Sequence, residues 1–353
     1  MNKSLIKQIP TCLLVFITGC VNKNTKSDDS GIYLGDGEAV IVNIDITKPQ
    51  KLKDKFDSIS TVNFDESVLN IIGIPRNIIV HGDTIYALDS QKSPGLYAYL
   101  EDGRQLFAYC SMGSGPKDIN CPYNLNVTDT NISLFDTANK RIIVFDKLGN
   151  YKDHFDLPSN TQNAMVDSSG GIWLDYSNQS SDNAKLSWLP NLTSKSTTVI
   201  NVPEYLKGMT IVNMQNFVKL SNGKILYMPS IEPKVFELDN GKAYLKYRLD
   251  FNGLWPTEDE IKKEYSGKAW APKFRKFPIS NLIVQECDKW FVVGFGFEDN
   301  RYICIYDRTY RCSKLFVDDS DTYYGPKYVT NDELYLLRKD DRLEILELHN
   351  ICN

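Results

Sequence analysis

Two successive stretches of the chain decide its fold: residues 77–106, NIIVHGDTIYALDSQKSPGLYAYLEDGRQL, and residues 124–153, NLNVTDTNISLFDTANKRIIVFDKLGNYKD. Each contains a short apolar strand, a polar turn, a second strand that ends in aspartate, an alternating strand and a corner with an acid and a glycine. The offset between them is 47 residues, which is typical of a four-stranded propeller blade. The repeat therefore predicts an all-β chain that is built from blades.

Four weaker copies of this unit follow, and they begin near Asn163, Asn216, Asn281 and Pro326. The last copy ends before a fourth strand. The sequence therefore predicts a six-bladed β-propeller whose last blade is completed by the N-terminal segment 57–65, together with 39–45. Such closure leaves few exposed sheet edges. A pair of two-sheet β-sandwiches also accounts for the strands, but it does not explain the recurrent Asp and Gly positions.

The clearest motifs lie in the first two units: the corner Gly113-Ser114-Gly115-Pro116, the later Pro122, and DTANKRIIVFD at 136–146. In these motifs the chain resembles NHL-type six-bladed β-propellers, and especially the propeller lipoproteins of Gram-negative outer membranes. The similarity spans about residues 38–350 and is sharpest in the first two blades. The resemblance implies a propeller over 38–353 in a cell-envelope protein.

The N-terminus resembles an export signal. Two lysines precede an apolar run that is too short for a transmembrane helix, which needs about 20 residues. Residues 17–20, ITGC, resemble the lipobox of bacterial lipoproteins, which implies that a signal peptide, 1–19, is cleaved and that Cys20 carries lipid, palmitate included. An ordinary signal peptide with an incidental cysteine is the alternative. We expect residues 20–37 to form a lipidated flexible tether, because the stretch after Cys20 is polar and without periodicity.

Charge and size narrow the class of protein. The formal net charge is −5 and no basic run is present, so nucleic acid is not expected as a partner. A folded part of about 300 residues is large enough to bury a substantial core. A ring that closes on its own strands predicts a monomeric propeller.

Six cysteines follow Cys20, and an exported protein can hold them in disulfides. Spacing alone does not fix the pairing. The nearest pairs are Cys110 with Cys121, a possible disulfide across the glycine-rich corner, and Cys304 with Cys312. Three scattered histidines and the lack of a CxxC motif argue against a metal site. We therefore expect neither a metal nor a cofactor.

The glycine-rich corner does not predict a phosphate site. The spacing of a Walker-type phosphate loop is absent around Lys117, and no helix-forming segment follows. A tight turn explains the two glycines. The aspartates at strand ends, Asp89, Asp136 and Asp175, are typical of side chains that accept backbone N–H groups in turns. No catalytic residue is predicted from these motifs.

One aromatic and basic segment, 252–278, interrupts the repeat. Thr257 and Glu260 form a capping box, which predicts a short helix from Thr257 to about Tyr265. Two interpretations are open: the aromatic side chains pack the insert onto the ring, or they form a binding surface. In the second interpretation the binding residues are Trp255, Trp270, Lys273 and Arg275.

The sequence favours a function without catalysis. The first hypothesis is a binding or scaffold module that a lipid anchor holds to the membrane, and whose partner is an outer-membrane protein complex or a glycan. The alternative is an envelope enzyme with its site at the mouth of the central channel. Such an enzyme would be a metal-assisted lactonase or lyase, or a carbohydrate-active enzyme, whose acids need no proximity in sequence.

Overall fold

The computed structural model describes residues 38–65, 72–75, 77–178, 180, 182–209, 215–220, 222–265, 277–278, 280–349 and 351–352. The chain begins with three short strands, β1 (Val40–Asn43), β2 (Gln50–Lys51) and β3 (Ser58–Val62). The helix α1 (Leu52–Lys55) lies between β2 and β3. Within these ranges, no helix is long and apolar enough to cross a membrane.

The remaining strands form six antiparallel sheets, the blades. Blade 1 contains β4 (Asn77–His81), β5 (Thr84–Asp89), β6 (Gly95–Leu100) and β7 (Gln105–Tyr109). Blade 2 contains β8 (Pro122–Val127), β9 (Asn131–Asp136), β10 (Arg141–Asp146) and β11 (Tyr151–Asp156). Blade 3 contains β12 (Asn163–Val166), β13 (Ile172–Asp175), β14 (Ala184–Leu189) and β15 (Thr197–Asn201).

The second half of the ring is built in the same way. Blade 4 contains β16 (Phe217–Lys219), β17 (Ile225–Tyr227), β18 (Lys234–Asp239) and β19 (Lys242–Asp250). Blade 5 contains β20 (Ser280–Glu286), β21 (Trp290–Phe297), β22 (Asn300–Asp307) and β23 (Cys312–Asp318). Blade 6 contains β24 (Tyr323–Val329), β25 (Glu333–Arg338) and β26 (Leu343–Glu347). The 3₁₀ helix Glu204–Leu206 precedes blade 4, and the helix α2 (Glu258–Tyr265) precedes blade 5.

The ring closes with an N-terminal strand, as the sequence predicts. β3 is the fourth strand of blade 6 and pairs antiparallel with β26, with Val62 opposite Leu343. The first strand of blade 1, β4, contacts both β8 and β24, so blade 6 adjoins blade 1. The six-bladed β-propeller predicted from the repeat is therefore confirmed.

The segment 39–45 lies elsewhere than predicted. β1 does not join blade 6; it pairs parallel with β19 on the outer edge of blade 4, and β2 pairs parallel with β23 on blade 5. We call residues 40–62 the strap, because they run along the outer edges of three successive blades. The strap covers two sheet edges in addition to completing blade 6, and covered edges do not pair with other chains.

Apolar side chains of the strap fill the space between blades. Leu52 and Phe56 are almost fully buried among Trp290, Phe316 and other side chains of blades 5 and 6. The rings of Phe56 and Phe316 meet edge to face with centroids 4.9 Å apart. Burial of one large apolar side chain contributes about 1.5–3 kcal/mol, so the strap is part of the core.

Because successive strands of each blade are antiparallel, the connections between them lie alternately at the two ends of the ring. In each antiparallel blade the connection after the second strand and the connection after the fourth strand lie at the same end. We call this end the top face; it carries the loops that follow β15 and β19, and therefore also α2. The bottom face carries the two other kinds of connection, which follow the first and third strands.

The disulfide in the structure is not the Cys110–Cys121 bond that the sequence suggested. The structure joins Cys312, at the bottom of blade 5, to Cys352, after blade 6, with their Cα atoms 6.1 Å apart. Cys110 and Cys121 are not bonded to each other, because their side chains face different neighbours. The Cys110 sulfur lies 3.0 Å from the Tyr97 hydroxyl, and the Cys121 sulfur lies 4.0 Å from the carbonyl of Ser90.

Removal of the disulfide should weaken the ring measurably. The bond closes a loop with a sequence separation of 40 residues, and a loop of this length is expected to stabilise the protein by about 3–4 kcal/mol. We expect C312S/C352S to lower the free energy of unfolding by that amount in urea titrations. Dithiothreitol should lower the stability of the wild type to the level of the variant and leave the variant unchanged. Equal stability of the oxidised wild type and the variant would contradict this prediction.

Candidate functional site

The glycine-rich corner is a closed turn, as the sequence predicts. The backbone N–H of Gly113 donates to Asn120 Oδ1 at 3.0 Å, and that of Gly115 donates to Asp118 Oδ2 at 2.7 Å. The N–H groups that a phosphate needs are thus occupied by side chains of the same loop. Lys117 Nζ lies 5.2 Å from the centroid of the Tyr151 ring.

Two of the recurrent aspartates hold turns together. Asp89 accepts backbone N–H groups of Gln91, Lys92 and Ser93, and also two from the segment before β4. Asp136 accepts the N–H of Ala138 in its own turn and two N–H groups from the segment before β8. The turn role that the sequence favours is confirmed for both residues.

Asp175 occupies the same place at the end of β13, but its partners are different. Its Oδ1 accepts the backbone N–H of Ser177 at 2.8 Å and the Tyr227 hydroxyl at 3.1 Å. Its Oδ2 accepts the side-chain amide of Asn216. Tyr227 and Asn216 belong to the next blade and the loop that leads to it, so this carboxyl connects two blades. Burial raises the pKa of Asp175, while these hydrogen bonds and the Lys185 charge oppose the rise.

A fully buried ion pair lies in the same region. Lys185, on β14, is 0 % exposed, and its Nζ lies 2.5 Å from Glu232 Oε1. The carbonyl of Ser230 accepts a second, longer bond from Lys185 at 3.5 Å. Glu232 is almost fully buried in the hairpin between β17 and β18. Removal of two charges from water is expensive, so this pair needs an explanation beyond stability.

Several buried amides nearby lack hydrogen bonds. Asn178 is 3 % exposed, and neither side-chain amide atom has a partner in the part of the chain that the structure describes. The same holds there for Oδ1 of Asn216 and Nδ2 of Asn163. A buried polar group without a partner costs about 1–3 kcal/mol. We call Asp175, Asn178, Lys185, Asn216 and Glu232 the top-face polar cluster.

Two strained residues support this cluster. Ile231, between Ser230 and Glu232, has a φ of 58°, which is rare for a β-branched residue. Ser177, whose N–H binds Asp175, has a φ of 57°. Strain of this kind persists where the surrounding structure imposes it, and it is concentrated at functional sites.

The insert is held beside the polar cluster by apolar contacts. Helix α2 begins with the predicted capping box, in which the backbone N–H of Thr257 donates to Glu260 Oε2 at 2.8 Å. Its Ile261 is buried against Leu206 and Ile231. Ile231 thus joins the helix to the hairpin that presents Glu232.

Of the predicted binding residues of the insert, Trp255 lies among the residues that the structure describes. Trp255 is half-buried; it packs beside the cluster around Ile261, and its ring centroid lies 5.5 Å from that of Phe251. This contact fits the interpretation that the aromatic side chains pack the insert onto the propeller, for one face of the Trp255 indole. Trp270, Lys273 and Arg275 lie outside the described residues, as does Cys20.

Sequence reasoning finds Asp175 but misses the other members of the polar cluster. One signal was present: Lys185 lies in the mostly apolar strand AKLSWL, where a buried lysine needs a partner. Its partner Glu232 is 47 residues away, which no local pattern reveals. In the described ranges, no group of three or more His, Cys, Asp or Glu side chains could hold a metal ion.

The fold and the repeated blades define the chain as a six-bladed β-propeller. The family described as "Domain of unknown function (DUF4934)" matches residues 39–351, and the chain belongs to this family rather than to an NHL family. A comparison with curated proteins gives no match.

Three solved propellers share the fold at low identity. A Bacteroides fragilis protein described as an "exported protein" has a TM-score of 0.73 at 13% identity, covering 88% of this chain and 100% of its own. A member of the DUF4221 family from Bacteroides vulgatus has a TM-score of 0.51 at 10% identity, covering 83% and 97%. Virginiamycin B lyase from Staphylococcus aureus has a TM-score of 0.50 at 13% identity, covering 84% and 100%. At these identities the likeness concerns the fold.

Proposed function

We propose that this protein is a lipid-anchored propeller of the cell envelope that binds a glycan at its top face without altering it. The observation that carries the proposal is the buried amide of Asn178, which has no partner among the described residues and belongs to the top-face polar cluster. An unsatisfied buried amide gains free energy when a ligand supplies its hydrogen bonds.

The chemistry of the cluster fits a neutral, hydroxyl-rich ligand. Glu232 lies close to two ammonium groups, that of Lys185 at 2.5 Å and that of Lys234 at 3.7 Å, and burial disfavours the charged form of Asp175. The groups without partners are amides, which both donate and accept, as each sugar hydroxyl does.

The path of the strap supports an arrangement in which the top face points away from the membrane. β1 runs parallel with β19, and β19 leads into the loop that carries α2. The chain therefore enters β1 from the side opposite the insert. Residues 20–37, the expected lipidated tether, precede this end of β1 in the chain.

Two observations support export to the envelope. The Cys312–Cys352 disulfide is a bond that persists in oxidising compartments and is rare in the cytosol. The Bacteroides fragilis propeller that shares the fold is described as an exported protein. Together with the lipobox-like residues 17–20, they favour a lipoprotein of the outer membrane.

Binding can be tested with envelope glycans on the full lipoprotein in detergent. We expect wild-type protein to bind at least one glycan fraction, and N178A to bind it at least tenfold more weakly. N191A is the matched control, since Asn191 is exposed in a bottom-face hairpin of the same blade. Failure of wild type to bind any glycan fraction, with capture of a membrane protein instead, would replace the glycan by a protein complex.

The lipid anchor makes a separate prediction. C20A should move the protein from the membrane fraction to the soluble fraction, because acyl chains supply the membrane affinity. C12A is the control, since Cys12 lies in the part that we expect to be cleaved. Fractionation followed by immunoblotting measures both variants. An unchanged membrane fraction of C20A would show that Cys20 is not the anchor.

Catalysis is the second candidate, and the raised pKa of Asp175 is the observation that favours it. A carboxyl group whose pKa is raised is a better candidate for a general acid than an ordinary carboxylate. Both of its oxygens are already bound to protein groups, however, which favours a structural carboxyl. Turnover of a bound glycan by wild type, and its loss in D175N, would identify an enzyme.

A further inference from the structure

A cavity lies at the rim of the ring, between the strap and blade 6. Its volume is about 280 Å³, and its apolar wall is formed by Leu52, Phe56 and Leu346. Ligand pockets of drug-sized molecules have volumes of about 300–1,000 Å³, so this cavity suits a smaller molecule. It is separate from the top-face polar cluster, which lies at blades 3 and 4.

One buried carboxylate has an open hydrogen-bonding position in this cavity. Glu344 is 8 % exposed, and its Oε2 accepts the Tyr323 hydroxyl at 2.9 Å and Arg338 Nη1 at 2.7 Å. No described residue donates to its other oxygen, Oε1. Burial and the bond to Glu344 raise the pKa of Tyr323, so the hydroxyl keeps its proton.

An ammonium group stands at the mouth of the same cavity. Lys53 is exposed on α1 and lines the cavity, and its one described hydrogen bond, to Thr322 Oγ1, is 3.5 Å long. Asp57 adds an exposed carboxylate to the lining. The cavity therefore combines a buried carboxylate, an exposed ammonium group at its mouth and an apolar wall.

We propose that this cavity binds a free α-amino acid with an apolar side chain. The α-ammonium group donates to Glu344 Oε1, the α-carboxylate accepts from Lys53, and the side chain contacts Leu52, Phe56 and Leu346. A simple carboxylate leaves the open position on Glu344 unfilled, and a simple amine makes no contact with the ammonium group of Lys53. Only a zwitterion with an apolar stem uses all three features.

The position of the cavity gives binding a structural effect. Leu52, Lys53, Phe56, Asp57 and Ser58, which form one side of the cavity, all belong to the strap. A ligand held between the strap and blade 6 stabilises the closed ring, because it binds the folded state and not the unfolded one. We expect leucine at ten times its dissociation constant to raise the Tm by about 2 °C.

Calorimetric titration of the full chain with L-leucine tests the proposal. We expect saturable binding of leucine, with leucinamide and 4-methylpentanoate at least tenfold weaker, since each lacks one of the two charges. E344Q should weaken leucine at least tenfold. E333Q is the matched control, because Glu333 accepts the Tyr335 hydroxyl at 2.8 Å in the same blade but does not line the cavity.

A second variant tests the proposal even if E344Q does not fold. Lys53 is exposed, so K53M should fold normally; it should weaken leucine and leave leucinamide unchanged. Absence of saturable leucine binding to folded wild type would overturn the proposal. Equal leucine affinity of wild type and K53M would overturn it as well. Both outcomes leave glycan binding at the top face untouched, because N178A reports on that site separately.

Discussion

Deletion of residues 38–65 will prevent the ring from folding as a cooperative unit. The deletion removes the fourth strand of blade 6 and both edge strands of blades 4 and 5. It also removes six buried apolar side chains: Val42, Ile44, Leu52, Phe56, Val62 and Phe64. At about 1.5–3 kcal/mol for each, their loss is about 9–18 kcal/mol, as large as the 5–15 kcal/mol by which a typical protein is stable.

Circular dichroism and urea titration measure this result. We expect the truncated chain to show no cooperative transition and to aggregate, because blade 6 would present the unpaired strand β26. Deletion of residues 21–37 alone is the control, and it should leave the midpoint of unfolding unchanged. A folded, monomeric product of the longer deletion would show that the ring closes without the strap.

The parts of the fold that local chemistry determines were predictable from sequence. Blades 1 and 2 are marked by Asp89 and Asp136, whose carboxylates bind N–H groups of their own turns. Such turns depend on residues close together in the chain, so the pattern is visible in the sequence. The offset of 47 residues between the two units follows from it.

The sequence placed β1 on the wrong blade and did not predict β2, since the pairing of both strands is non-local. β2 has only two residues, and the strand that it joins lies more than 260 residues further along the chain. The Cys312–Cys352 disulfide was not predicted for the same reason, because this pairing depends on the path of the chain after blade 6. Spacing favours near neighbours, and here the near neighbours Cys304 and Cys312 are not joined.

In the candidate site, too, the sequence does not reveal contacts between side chains that are far apart in the chain. Asp175 looks equivalent to Asp89 and Asp136 in the sequence, yet two of its three partners come from 41 and 52 residues away. The difference between a turn aspartate and a buried inter-blade carboxyl therefore lies in the packing of two blades. A local pattern carries no information about that packing.

The buried pair of Lys185 and Glu232 should give the largest effect of any single substitution at the polar cluster. K185M leaves the Glu232 carboxylate buried without its closest partner, and we expect a loss of about 3–5 kcal/mol in the free energy of unfolding. E232Q should cost a similar amount, because it leaves the fully buried ammonium of Lys185 without its counter-charge.

The double variant K185M/E232L separates stability from function. Replacement of a buried ion pair by apolar residues is often neutral or stabilising, so the double variant should recover most of the stability that each single variant loses. K207M is the control, since Lys207 and its partner Glu204 are both exposed, and exposed pairs contribute about 0–1 kcal/mol. Urea titration of the four proteins gives the coupling energy. Losses that simply add in the double variant would mean that the two side chains act independently.

Glycan binding by the stable double variant then tests function. If this variant no longer binds glycan, the charged pair is retained for recognition, because stability alone does not require charged side chains at these two positions.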